Sequence, residues 1–264
     1  MRSWKTTTSE ARSKSVREDV DGAVLTVTID RPAVRNAVDP QTATRLREAF
    51  AAFEQERSLR VAILTGAGGT FCAGFDLKAL AAGQAYGGNP ADGPMGPTRM
   101  ALGKPVIAAI EGYAVGGGME LALWCDLRVM SRDATMGVFN RRFGVPLIDG
   151  GTVRLPRLVG HGRALDLILT GRAVGAEEAL RIGLVDRVVE AGQVLAAAMD
   201  VARQISAFPQ AALRADRRNV FDQWSLDEDA ALRKEGVGGA EVMESGEAQE
   251  GASRFAKGSG RHGT

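Results

Sequence analysis

Two periods of apolar residues organise this chain. After the turn pair Asp21-Gly22, Leu25, Val27 and Ile29 alternate with Thr26 and Thr28 and predict one half of a hairpin with an apolar inward face. Asp39-Pro40 supplies a helix N-cap followed by a proline at the first helical position. Leu46, Ala49, Phe50 and Phe53 follow at helical spacing, so residues 40–56 are expected to form an amphipathic helix. The apolar runs Val61–Thr65 and Val106–Ile110 read as strands. Each leads into a glycine-rich loop and then a helical pattern, near 76–82 and at 119–124, and Asp126–Ser131 predicts a further strand. Beyond Gly162 helices are expected at 163–170, 176–182, 191–206 and 209–222, with a short strand at Val185–Val189. The charged, glycine-rich tail holds one more helix near 240–256.

Two stretches lack periodicity. Residues 83–97 are dense in Gly and Pro and lie between the two glycine loops, so they read as a mobile segment that touches whatever binds there. The first nineteen residues carry Arg2, Lys5, Arg12, Lys14 and Arg17 but no apolar helical face and no hydrophobic stretch of a signal peptide. Residues 1–20 are therefore expected to be a disordered extension, ahead of a core at 21–200 and a helical region at 201–264. A length of 264 residues suits one substantial core with a small appended element. A net charge of +1 gives no electrostatic case for nucleic acid or a membrane surface, and no apolar run approaches a bilayer span. Cys72 and Cys125, the only two cysteines, suggest buried reduced thiols in a cytoplasmic protein rather than a disulfide framework or zinc cluster.

The chemistry concentrates in Phe71-Cys72-Ala73-Gly74-Phe75-Asp76 and in Gly112-Tyr113-Ala114-Val115-Gly116-Gly117-Gly118-Met119-Glu120. Glycines after a strand let backbone approach a ligand closely and leave N–H groups free to point at it. Two such loops can aim two amides at one oxygen, which stabilises that oxygen as it becomes negative. Glu120 then follows in the first turn of a helix, where the macrodipole favours an ionised carboxylate. Donors for an oxyanion beside a base for a proton make a catalytic arrangement. Other chemistries lack their signatures. Gly66-Ala67-Gly68-Gly69 completes no dinucleotide fingerprint, and neither a P-loop nor a serine-hydrolase elbow is present. His161 and His262 have no metal-ligand spacing, and His161 between glycines reads as a helix-entry residue.

Together these segments resemble the crotonase superfamily, which includes enoyl-CoA hydratases and isomerases. The further marks are Arg31-Pro32-Ala33-Val34-Arg35-Asn36-Ala37, Cys125-Asp126, Asp149-Gly150-Gly151-Thr152 with Leu155-Pro156, Leu169-Thr170-Gly171 and Gly183-Leu184-Val185. The resemblance runs from about Val24 into the C-terminal region. It implies an α/β fold, a spiral of β-β-α units with a helical C-terminal region, assembled as trimers or dimers of trimers. It also implies an acyl-CoA thioester substrate, with coenzyme A entering only as part of that substrate and no metal or redox cofactor.

By the same resemblance, the amides of Phe75 and Gly117 grip the thioester carbonyl, and Glu120 matches the first catalytic carboxylate of the hydratases. Asn140 stands where hydratases carry a second glutamate; an amide can orient water but cannot exchange a proton at neutral pH. Asp149 resembles an aspartate that transfers protons in certain isomerases of the family. A Glu120/Asp149 pair would favour double-bond migration, while hydration by Glu120 with help from Asn140 stays open. Val34, Arg35, Asp76 and Leu77 match segments that touch the coenzyme A end. Ala73, Asn140 and Phe143 are expected along the substrate, and Phe255 and Lys257 resemble C-terminal residues that close over coenzyme A. Two other readings compete. One is a non-catalytic acyl-CoA-binding homologue that lost the second glutamate; Glu120 beside the thioester argues against it. The other, a nucleotide-dependent oxidoreductase, lacks its fingerprint.

Overall fold

The computed structural model describes residues 15–84 and 93–258. They divide into two compact units between Arg203 and Gln204. In the first, β1 (Val16–Asp21) and β2 (Val24–Ile29) form an antiparallel hairpin around Gly22, whose φ is +58°. The pairing of Val16 with Ile29 takes residues 16–20 into the sheet and out of the extension placed at 1–20. Their polar sequence concealed this, because only Val16 of β1 is buried. β2 is buried along its whole length, Thr26 and Thr28 included, rather than on one face. α1 (Pro40–Gln55) starts as the Asp39-Pro40 pair predicts: the Asp39 carboxylate accepts from the Thr42 amide at 2.8 Å. Leu46, Ala49, Phe50 and Phe53 form its buried face.

β3 (Val61–Gly66), β4 (Val106–Ile110), β6 (Leu127–Ser131) and β9 (Arg187–Val189) continue from β2 in parallel, in the order β1-β2-β3-β4-β6-β9. Parallel strands are covered on both faces, so β3 and β4 read as unbroken apolar runs. A second sheet joins β5 (Tyr113–Val115), β7 (Thr135–Gly137) and β8 (Ala173–Gly175). Each strand has three residues, too few for a period of two to register in the sequence.

β4 leads into β5 and β6 into β7, so successive turns of chain set β4 beside β6 and β5 beside β7. α2 (Leu77–Ala81) follows β3, α3 (Gly117–Trp124) follows β5, and α4 (Gly151–Val159) follows β7 after a 3-10 turn at Phe139–Phe143. This is the expected spiral of β-β-α units. α4 itself begins well before Gly162, where the helical pattern was expected to start; its paired glycines and internal Pro156 hid it. Trp124 packs edge-on against Phe50 at 4.8 Å between ring centres and fixes α3 to α1. α5 (His161–Thr170), α6 (Ala176–Arg181) and the buried face of α7 (Val194–Ala207) complete the unit, with His161 as the first residue of α5.

The second unit contains α8 (Gln210–Asp222), α9 (Glu228–Glu244) and α10 (Glu247–Ala256). The helix expected near 240–256 is two helices, broken at Ser245-Gly246, where Gly246 has φ +84°. Asp227 caps α9 by accepting from the Ala230 amide at 2.7 Å. Residues 85–92, most of the segment expected to be mobile, lie outside the described residues, as do residues 1–14 and His262. Gly93–Pro97 are described, with Met95 fully buried. Among the described residues no helix is long and apolar enough to cross a membrane.

Candidate active site

The two glycine loops meet at the wall of a cleft. Cys72 pairs with Ala114 in a parallel bridge; the Cys72 amide donates to Tyr113 O at 2.8 Å and the Val115 amide to Cys72 O at 3.1 Å. Phe75 bridges to Val38 on its other side. There the Val38 amide donates to Gly74 O at 2.8 Å and the Asp76 amide to Val38 O at 2.9 Å. Successive amides of an extended chain point to opposite edges, so the Phe75 N–H is directed away from Val38. Gly74 has φ +100°, and a Cβ built on it would stand 3.0 Å from Gly117 N and 2.9 Å from Val115 O. Only glycine lets the loops come this close. Gly117 opens α3, where first-turn amides lack intrahelical partners. Gly118 serves packing instead: a Cβ there would fall 2.1 Å from Cys72 O.

Glu120 is buried in the first turn of α3 and lines the cleft. Its Oε1 accepts from the amides of Asp149 at 2.9 Å and Gly151 at 2.8 Å. Burial pushes its pKa up to about 7, opposed by those amides and reinforced by the charge of Asp149. A helix N-terminus alone predicts an easily ionised carboxylate; loss of water outweighs it. Asp149 is buried as well, and burial raises its pKa, opposed by hydrogen bonds from Thr98 and Met95. Its Oδ1 accepts from the Met95 amide at 2.9 Å and from the Thr98 hydroxyl. Arg154 donates to Asp149 O at 2.8 Å and to Thr98 O at 2.6 Å. Asn140 lies on the 3-10 turn; its Nδ2 donates to Val145 O at 2.8 Å, and its Oδ1 is buried without a partner. Phe139, Phe143, Val145, Pro146 and Ile148 give the cleft an apolar side.

The profile of the family described as Enoyl-CoA hydratase/isomerase matches residues 19–259. The chain belongs to this family. It is 42% identical over 201 residues to a carnitinyl-CoA dehydratase of Salmonella arizonae, covering 73% of this chain and 75% of that one. It is 37% identical over 243 residues to enoyl-CoA hydratase EchA19 of Mycobacterium tuberculosis, covering 89% and 91%. The crystal structure of an enoyl-CoA hydratase from Mycobacterium tuberculosis H37Rv superposes with a TM-score of 0.88 at 37% identity, over 92% of this chain and 96% of that one. The fold is therefore the crotonase fold.

Of the residues that the resemblance to enoyl-CoA hydratases and isomerases singled out, Ala73, Phe75, Leu77, Gly117, Glu120, Asn140, Phe143 and Asp149 line this cleft. Val34, Arg35 and Asp76 do not. Asp76 caps α2 through Oδ1, accepting from Lys78 N at 3.0 Å, and pairs through Oδ2 with Arg31 at 3.2 Å. Arg35, at φ +53°, supports the first loop from behind, its carbonyl accepting from the Ala73 amide at 3.0 Å. Phe255 is exposed near the end of α10 and Lys257 follows that helix, both within the second unit.

Sequence reasoning quoted Asn36 only as a mark of the resemblance, without a role, and passed over Thr98 and Arg154. Asn36 is fully buried at φ +56°, with Nδ2 donating to Ala67 O at 2.8 Å and Thr70 O at 2.6 Å. An asparagine that tolerates left-handed backbone was its available signal. Thr98 carried no local signal, since its partners Asp149 and Arg154 lie more than fifty residues away in sequence, and Arg154 adds only a main-chain contact to Asp149 that no motif announces. Among the described residues no group of His, Cys, Asp and Glu is arranged to hold a metal ion.

Proposed function

We propose that this chain is an acyl-CoA lyase that adds water reversibly to the double bond of a 2-enoyl-CoA, with Glu120 transferring the proton. The observation that carries this reading is Glu120 itself: buried beside Gly117, held by two amides, with a pKa of about 7. Such a group is present in both protonation states at neutral pH, the condition under which one side chain serves as base and acid in turn. The thioester carbonyl accepts from the amides of Phe75 and Gly117, which hold the negative charge of the enolate; each donor contributes about 3 kcal/mol. As water oxygen attacks C3, Glu120 takes a water proton. It then returns a proton to C2 as the enolate collapses. Asn140 orients the water without exchanging a proton. The apolar side of the cleft receives the acyl chain, and the relatives' names, hydratase and dehydratase, describe the two directions of this reaction.

A second reading is double-bond isomerisation with Asp149 as the partner of Glu120. Its support is a second buried carboxylate in the same cleft, with its proton affinity raised. The proposed working form is a homotrimer or dimer of trimers, for which the exposed apolar residues of α8–α10 provide a surface. The proposed compartment is the cytoplasm, which suits the buried free thiols of Cys72 and Cys125.

The test is NMR in deuterated water of wild type and Glu120→Gln with crotonyl-CoA and a 3-enoyl-CoA. Formation of 3-hydroxyacyl-CoA by wild type and not by the variant is the expected result. A migrated double bond carrying deuterium, without hydration, would move the assignment to isomerase. Binding of both esters without turnover would reduce the chain to a binding protein.

A further inference from the structure

We infer that Asp149 is a positioning residue: with Thr98 and Arg154 it forms a closed bracket that sets Glu120 and the Met95 wall of the cleft together. The inference rests on the reading of Glu120 as the proton-transfer group.

The amide, the carbonyl and the Oδ1 of Asp149 are all engaged. Its amide donates to Glu120 Oε1 at 2.9 Å. Its carbonyl accepts from Arg154 Nη1 at 2.8 Å. Its carboxylate Oδ1 takes both the Met95 amide at 2.9 Å and the Thr98 hydroxyl. Arg154 Nη2 closes the ring by donating to Thr98 O at 2.6 Å. A half-buried guanidinium spanning two main-chain carbonyls fixes a backbone path, because its rigid fork of donors holds both at once. Thr98 is fully buried.

Three glycines admit this packing. A Cβ on Gly150, at φ +95°, would stand 2.1 Å from Arg154 Nη1. One on Gly93 would stand 1.8 Å from Thr98 Oγ1, and one on Gly151 would stand 2.9 Å from Glu120 Oε1. The bracket also reaches the cleft wall. Asp149 holds the Met95 amide, and the Met95 side chain lies against Gly117, where a built Cβ would meet Sδ at 2.7 Å. Shape and proton transfer therefore share one support.

The charged groups facing Glu120 are Asp149 and Arg154, and those facing Asp149 are Glu120, Arg99 and Arg154. The test therefore uses one substitution that leaves all of them in place. Full-length chain labelled with 13C-carboxyl glutamate is titrated by NMR, with Glu120→Gln assigning the signal, and the same variants are assayed with crotonyl-CoA. Thr98→Val removes the hydroxyl without a change of charge. It is expected to loosen the turn that carries the two amides, raise the Glu120 midpoint and lower kcat about 10–100-fold with little change in KM. Thr98→Ser is expected to restore both. Asp149→Asn keeps an acceptor for Met95 and Thr98 and is expected to lose less than about tenfold, whereas Asp149→Ala loses far more.

Asp149→Asn as inactive as Glu120→Gln, with an unmoved Glu120 midpoint in Thr98→Val, would overturn the bracket and make Asp149 a proton carrier. Should wild type turn over no enoyl-CoA, the proposed function fails on its own. The titration then still decides the bracket: a midpoint raised in Thr98→Val and recovered in Thr98→Ser supports it, and one identical in all three proteins sinks it.

Discussion

In β2, β3 and β4 of the first unit nearly every side chain is buried, polar Thr26, Thr28 and Thr65 among them. α8, α9 and α10 of the second unit contain no buried residue and expose Val220, Phe221, Leu232, Val237 and Met243. Backbone regularity is alike in the two; closure of the apolar surface is not. The first unit completes its own core and can hold a carboxylate at a raised pKa inside it. The second presents apolar surface of the kind that marks association sites, which is where the proposed assembly draws its support.

Substitutions sharpen this contrast. The largest effect belongs to the buried carboxylate: Glu120→Gln should lower kcat about 10³-fold with an unchanged circular dichroism spectrum, since its amide oxygen still accepts from Asp149 and Gly151. Wild-type kcat/KM should fall as pH drops below about 7, where the base becomes protonated. A pH profile flat across that range would remove Glu120 from the role of base. Next comes packing. Gly118→Ala drives a Cβ to 2.1 Å from a backbone carbonyl and should cost about 3 kcal/mol in urea denaturation.

A comparable effect reverses the usual sign. The folded-state pKa of Glu120 is raised, so its contribution to stability is complete below the unfolded value of 4.5 and is lost as pH rises through about 7. Glu120→Gln should therefore be more stable than wild type at pH 8, by about 3 kcal/mol, and nearly equal to it at pH 4. Smaller is the mirror of the Gly118 experiment. Gly236 lies exposed inside α9 with nothing within 4 Å of a built Cβ, so Gly236→Ala should stabilise by about 0.5–1 kcal/mol. The same chemical change would then carry opposite signs in the two units. At the same scale, Val237→Lys should move stability by no more than about 0.5 kcal/mol yet lower the assembled mass seen by light scattering. An unaltered mass would take Val237 out of the assembly surface.

What the sequence disclosed and withheld follows from the range of the interactions involved. α1 was legible because its cap, its first-turn proline and its apolar stripe are all local. β3 and β4 were legible as apolar runs, and Gly116–Gly118 with Glu120 because strand, loop and base are contiguous. β1 was implied only as the other half of the hairpin, and its residues were placed in the extension, because its strand identity comes from pairing with β2 and its own residues are polar. The three-residue strands of the second sheet carry no period. Glu120 could be named from its neighbours, but its proton affinity could not, because that is set by burial and by a turn some thirty residues on. Asp149 was visible as an acidic residue before glycines. Its hold on Met95 and Thr98 spans more than fifty residues and leaves no trace in local pattern.

The amides that orient Glu120 come from Asp149 and Gly151, on the chain that enters α4. α3 thus supplies the carboxyl group while a later segment mounts it. Recombination between homologues has to respect that division. A crossover between residues 124 and 149 would unite a base from one parent with a mount from the other, and one between 98 and 149 would also divide Thr98 from its aspartate. For exchange of sequence, stretches 93–98, 117–124 and 149–154 behave as a single inherited block, although the intervening chain leaves it and returns twice.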